Sequence, residues 1–128
     1  MTLEIVHTEK APRAIGPYSQ AIRAGHWLFV SGQIPLAPGT GELVEGDFEK
    51  QVRQALENFR AVVEAAEGRL DQVTAVDVFL TDIGMFAVFN RIYEIFFDGH
   101  KPARAVVEVR ALPRGASVEL KGMAYLGT

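Results

Sequence analysis

The sequence predicts an α+β domain in which two amphipathic helices cover one face of a β-sheet. Three observations predict it. Strand and helix signals follow one another in the order β-β-β-α-β-α-β-β. Two segments carry a single apolar stripe at three- and four-residue spacing, so each helix must bury one side. One strand candidate is apolar on both faces and needs cover on both. A sheet with two helices on one face is the simplest layered solution. The opposite sheet face is then bare, and layer counting predicts that another copy of the chain covers it.

The elements can be justified in order. Residues 3–7 form a short first strand. Residues 11–20 contain Pro12, Gly16 and Pro17 and read as an ordered loop. Residues 20–24 and 27–31 are two strands joined at Gly25-His26, the second rich in β-formers (Trp27, Leu28, Phe29, Val30). Residues 34–46 hold Pro35, Pro38, Gly39, Gly41 and Gly46, a long loop with a small hairpin about Gly39-Thr40-Gly41.

Asp47 is a fitting N-cap for a helix that ends near Gly68. Its stripe runs through Phe48, Val52, Leu56, Phe59, Val62 and Val63, with Glu49, Arg53, Glu57, Arg60 and Glu64 on the other side. Residues 73–80 are the doubly apolar strand, with Asp77 as the exception. A second helix starts near Asp82 or Gly84 and runs to about Phe97, stopped by Gly99 and Pro102. Two strands close the chain, 103–110 and 117–126, turning at Pro113-Arg114-Gly115. This short turn allows them to pair antiparallel.

Composition bounds the function. The chain has 128 residues, read as a single domain over 1–128, and a chain of this size buries roughly two thirds of its unfolded surface. Hydrophobic residues make up 48% and charged residues 23%, a globular balance rather than a disordered one. The net charge of −3 and the lack of a basic run speak against nucleic acid as a partner. With no cysteine there is no disulfide framework, thiol nucleophile, cysteine zinc site or iron–sulfur cluster. The N-terminus has no signal-peptide pattern and no stretch is apolar enough to span a membrane, so a cytoplasmic location is expected.

The common catalytic patterns are missing too. His7, His26 and His100 lie apart with no metal-ligand spacing, so no metal is expected. Ser19, Ser31 and Ser117 do not sit in a nucleophile elbow, and no phosphate-binding glycine loop occurs. What remains is less explicit. Pro17, preceded by Gly16, fixes the backbone about Tyr18, which reads as either a core plug or a site residue. Gly32, after Ser31, reads as a bulge or as a place where a ligand comes close to the backbone. Arg104 is either a solvated strand-start charge or a carboxylate grip, since a guanidinium offers two parallel hydrogen bonds. Glu119 faces away from Val118 and Leu120, shares a face with Ser117 and Lys121, and reads as a solvent-facing glutamate paired with Lys121; pattern alone does not select it or Arg104 as a site pair. A hairpin of the last two strands would hold Arg104 and Glu119 apart, so a site sharing them is more naturally built across a subunit boundary.

Five segments resemble the RidA family (YjgF/YER057c/UK114) of reactive-intermediate imine deaminases. They are Ala14-Ile15-Gly16-Pro17-Tyr18-Ser19-Gln20, Val30-Ser31-Gly32-Gln33-Ile34-Pro35, Phe89-Asn90-Arg91-Ile92-Tyr93, Pro102-Ala103-Arg104 and Val118-Glu119-Leu120. The resemblance implies a chorismate-mutase-like α+β fold and a homotrimer with a central β-barrel, helices outside and sites between subunits. It implies hydrolysis of 2-iminopropanoate and 2-iminobutanoate to 2-keto acids and ammonia, with no cofactor. It assigns Arg104 to the substrate carboxylate, Glu119 to the attacking water, and Tyr18, Ser31, Gly32 and Asn90 to the cleft. The chain departs from many members at Val106, where they carry a cysteine. Two other readings fit the same residues: a non-catalytic module that binds 2-keto acids or other carboxylates, and, with less support, a ribonuclease or translation inhibitor.

Overall fold

The computed structural model describes residues 2–128. Its strands are β1 (Leu3–Val6), β2 (Ala21–Ala24), β3 (Trp27–Gln33), β4 (Val73–Leu80), β5 (Ala103–Glu108) and β6 (Val118–Tyr125), and its helices α1 (Phe48–Ala65) and α2 (Phe86–Phe97). The strands form one mixed sheet in the order β1-β2-β3-β6-β4-β5. Only β4 and β5 run parallel among the described pairs. Both helices pack on one sheet face, as the apolar stripes require. No described helix is long and apolar enough to cross a membrane.

The core joins that face to the two stripes. Val76, Val78 and Leu80 of β4 and Val118 and Leu120 of β6 meet Val52, Phe59 and Val63 of α1 and Phe89 and Phe97 of α2, all buried. Asp47 caps α1 by accepting the Lys50 amide at Oδ1, 3.0 Å away. The helix ends at Ala65, earlier than the glycine signal suggests, because Glu67 takes the left-handed position at φ 64°. Gly68 serves packing instead: a Cβ there would press on Leu126 and Val63. A short 3-10 turn, Ile83–Met85, precedes α2, with Asp82 Oδ1 accepting the Gly84 amide.

The expected pairing of the last two strands is wrong. β5 does not pair with β6; it lies at the sheet edge, parallel to β4. The reason is α2. A helix between two strands brings the chain back to its starting end, so the next strand lies parallel. β6 alternates buried and open residues along its length and fits between β3 and β4. The connection from β5 to β6 crosses the end of β4, held by the Val109 amide on the Leu80 carbonyl and the Thr81 amide on the Ser117 carbonyl.

Two buried amides order the loops. Gln20 Oε1 accepts the Thr8 amide (2.7 Å), while Nε2 donates to the Thr8 and Pro12 carbonyls (3.0 and 2.8 Å). Asn58, wholly buried on α1, donates from Nδ2 to the Ile34 and Leu36 carbonyls (3.2 and 2.9 Å) and accepts from Gln54. Removing it strands two carbonyls, so Asn58→Ala is expected to cost about 2 kcal/mol, read as a lower urea midpoint with unchanged slope.

The other sheet face carries no helix. Across it run Ile5, Ile22, Phe29 and Met123 in one register row and Leu3, Ala24, Trp27 and Tyr125 in the next. Leu3, Ile5, Trp27, Phe29 and Tyr125 are exposed there. The open face is thus apolar across four strands.

Candidate functional site

Two clefts contain the residues singled out in the sequence. The first, about 600 Å³, is lined by Tyr18, Ser31, Gly32 and Glu119, with Ile15 and Arg114 at its sides. Its floor is a bulge. The β3–β6 register shifts between Val30 and Gln33, which puts Ser31 and Gly32 out of regular pairing. Ser31 Oγ donates to the Ser19 carbonyl at 2.5 Å and its amide donates to the Gln20 carbonyl at 2.9 Å. The hydroxyl thus ties the bulge to the 11–20 loop. In that loop Gly16 sits at φ 123° and its carbonyl accepts the Tyr18 amide at 2.9 Å, bending the chain about Pro17. Tyr18 is 52% exposed and lines the cleft; it does not plug the core.

Gly32 lies in the bulge, and the group that comes close to its backbone is the Glu119 side chain. A Cβ at this position would overlap Oε2 of Glu119 and lie 3.0 Å from its Cδ. Glu119 is half-buried, and that burial raises its carboxyl above the ordinary value of 4.5, with Lys121 acting in the opposite sense. Lys121 is turned to Asp77, 4.0 Å away. The suggested Glu119–Lys121 pair is therefore not made.

The second cleft, about 370 Å³, is lined by Asn90, Tyr93, His100, Lys101, Pro102 and Arg104, among others. Arg104 Nη1 donates to Asn90 Oδ1 at 2.7 Å. Its guanidinium carbon stands 4.8 Å from the Tyr93 ring centre and 5.7 Å from that of Phe86. His100 Nε2 lies 2.6 Å from the Val73 carbonyl and fixes the loop before Pro102 to the start of β4. Among the described residues no cluster of three or more potential ligands could hold a metal.

The clefts face different ways. Arg104 is paired with Val76, on the helix-bearing face, whereas Glu119 is paired with Phe79, on the open face. They are two strands apart in the sheet, about 10 Å across, and also offset along β4. One chain therefore holds an arginine half and a glutamate half that do not meet.

Residues 8–126 match the family model of endoribonuclease L-PSP. The chain belongs to this family. A RutC family protein of Pyrococcus horikoshii is 50% identical over 122 residues, 95% of this chain and 97% of its own. The 2-iminobutanoate/2-iminopropanoate deaminase of mouse is 41% identical over 124 residues, covering 97% and 92%. Among solved structures, YyfA of Yersinia pestis, a Rid-family protein, superposes with a TM-score of 0.94 at 46% identity, covering 97% of this chain and 99% of that one. The L-PSP/Rid fold is thus the one the motifs resembled. Two members of the arginine cleft carry no site signal in the sequence: Tyr93, whose spacing from Asn90 puts both on one face of α2, and His100, which lies apart from the other histidines.

Proposed function

We propose that this L-PSP/Rid protein hydrolyses 2-imino acids to 2-keto acids and ammonia, at sites where the arginine cleft of one subunit meets the glutamate cleft of the next in a homotrimer. The observation that carries the reading is the division itself. A preset guanidinium and a half-buried carboxylate, the two groups the reaction asks for, sit in separate clefts of one chain. The exposed apolar sheet face supplies the surface for assembly. The mouse relative's activity agrees with the chemistry.

The steps follow from the side chains. Arg104 grips the substrate carboxylate and sets C2 beside a water held by Glu119. The ionised carboxylate accepts a proton as the water oxygen bonds to C2, and the C=N pair moves to nitrogen. Proton return to nitrogen makes it a leaving amine. The C2 hydroxyl proton then passes through the same carboxylate to the nitrogen, the C–N bond breaks as the carbonyl forms, and ammonia departs. Free imines already hydrolyse in water, so two positioned groups suffice, and no metal or organic cofactor enters the scheme. A cytoplasmic location is part of this proposal.

The family name denotes an endoribonuclease, yet the three histidines are otherwise engaged. His7 bonds to Glu9, His26 packs edge-on to Tyr125, and His100 meets the Val73 carbonyl.

The test generates 2-iminopropanoate or 2-iminobutanoate in place with an amino-acid oxidase while semicarbazide competes for it. Semicarbazone formation should fall in proportion to added protein. No change with a verified trimer, together with calorimetric binding of 2-oxobutanoate, would instead establish the carboxylate-binding module. Gly32→Ala gives a local check. The atom in its way is the end of a flexible side chain, so the fold should persist while Glu119 is displaced. Turnover should fall about tenfold to a hundredfold, with melting temperature little changed.

A further inference from the structure

We infer that Tyr93 is a positioning residue for Arg104, its ring forming a shelf that holds the guanidinium ready for a carboxylate. The inference rests on the carboxylate-clamp reading above. Arg104 stands on an edge strand, where an arginine stem is otherwise free to sample many rotamers. Here it is held from two directions. Asn90 Oδ1 accepts one N–H, and the Tyr93 ring lies 4.8 Å beneath the guanidinium carbon. The two come from one face of α2, so a single helix sets both. Asn90 occupies one donor and the ring none, which leaves the rest of the fork for a ligand.

The ring itself cannot move freely. Tyr93 is 7% exposed and packs between Phe89 and Phe97, with ring centres at 5.5 and 4.7 Å. Its hydroxyl is buried and has no hydrogen-bond partner among the described residues. Burial pushes that hydroxyl up to about 12, with Arg104 acting in the opposite sense. The side chain therefore stays neutral at physiological pH and offers Arg104 no counter-charge. What it offers is the electron-rich ring face, which attracts a cation.

The test varies that face without changing its shape. In the full-length protein, position 93 is occupied in turn by phenylalanine, 4-fluoro-, 3,5-difluoro- and 3,4,5-trifluorophenylalanine. Binding of 2-oxobutanoate is measured by calorimetry and KM and kcat by the semicarbazide assay. The dissociation constant should rise step by step with fluorination, about fivefold over the series. KM should follow it and kcat should change little. Tyr93→Leu should weaken binding at least as much, and Tyr93→Phe should recover it. Binding that is flat across the series, while Arg104→Ala abolishes it, overturns the shelf and leaves the clamp standing. Binding undiminished by Arg104→Ala overturns the clamp and the shelf together.

Discussion

Arg104→Ala should reduce kcat/KM for 2-iminobutanoate by about a hundredfold or more and remove measurable binding of 2-oxobutanoate. The guanidinium is the only group in its cleft with the planar fork a carboxylate matches, and Asn90 already directs it. Lys101 in the same cleft offers a point charge on a mobile stem and cannot reproduce two parallel bonds. For the same reason Arg104→Lys should recover little. The surface proposed for assembly is the apolar sheet face, and Arg104 points to the opposite face, so its loss should leave the assembly intact by sedimentation. Binding of the keto acid by the alanine variant at wild-type strength would remove the arginine from the site.

Glu119→Gln should lower kcat by about a hundredfold to ten-thousandfold while changing ligand affinity far less. The amide keeps the shape but cannot accept the water proton. The pH profile gives a second readout. Burial raises the Glu119 pKa, so the base becomes protonated, and kcat/KM declines with falling pH, at a higher pH than an ordinary carboxylate would require. That acid limb should vanish in the glutamine variant. The stability effect has the opposite sign to the usual paired carboxylate. A folded-state pKa above the unfolded value means that the folded chain binds this proton more tightly, so stability is lost as pH rises through the unfolded and then the folded pKa. At neutral pH the charged, half-buried carboxylate is a burden, and Glu119→Gln should raise the melting temperature slightly. A variant that loses both turnover and affinity equally would contradict the water-activating role.

Much of this fold was legible because periodicity alone set it. The doubly apolar run Val73–Leu80 could only be an interior strand, and the Asp47 cap and its stripe fixed α1. The placement of β5 was not legible in the same way. A short turn before β6 suggested a hairpin, while the competing constraint, the return of the chain through α2, decides the pairing. Local turn chemistry lost to connectivity. Residues such as Gly32 and Arg104 were singled out by the family resemblance, since residue type and position alone left each with two readings. Asn58 and Tyr93 were not. Their side chains work at long range in sequence, Asn58 on the 34–36 carbonyls and Tyr93 on an arginine in another element. A polar residue on an apolar stripe is the one hint Asn58 gives.

The central claim is that each site takes its arginine and its glutamate from different chains. Mixing two inactive proteins tests it most directly. Arg104→Ala and Glu119→Gln chains are unfolded together in equal amounts, refolded, and verified as mixed trimers by mass spectrometry. In such trimers some interfaces join an intact arginine half to an intact glutamate half. Each mixed cyclic trimer holds one such interface of its three, so imine hydrolysis should return to roughly a third of the wild-type rate in mixed trimers and roughly a quarter in the whole refolded population. Mixed trimers as inactive as their parents would show that both residues must come from one chain, and the proposed site would be wrong.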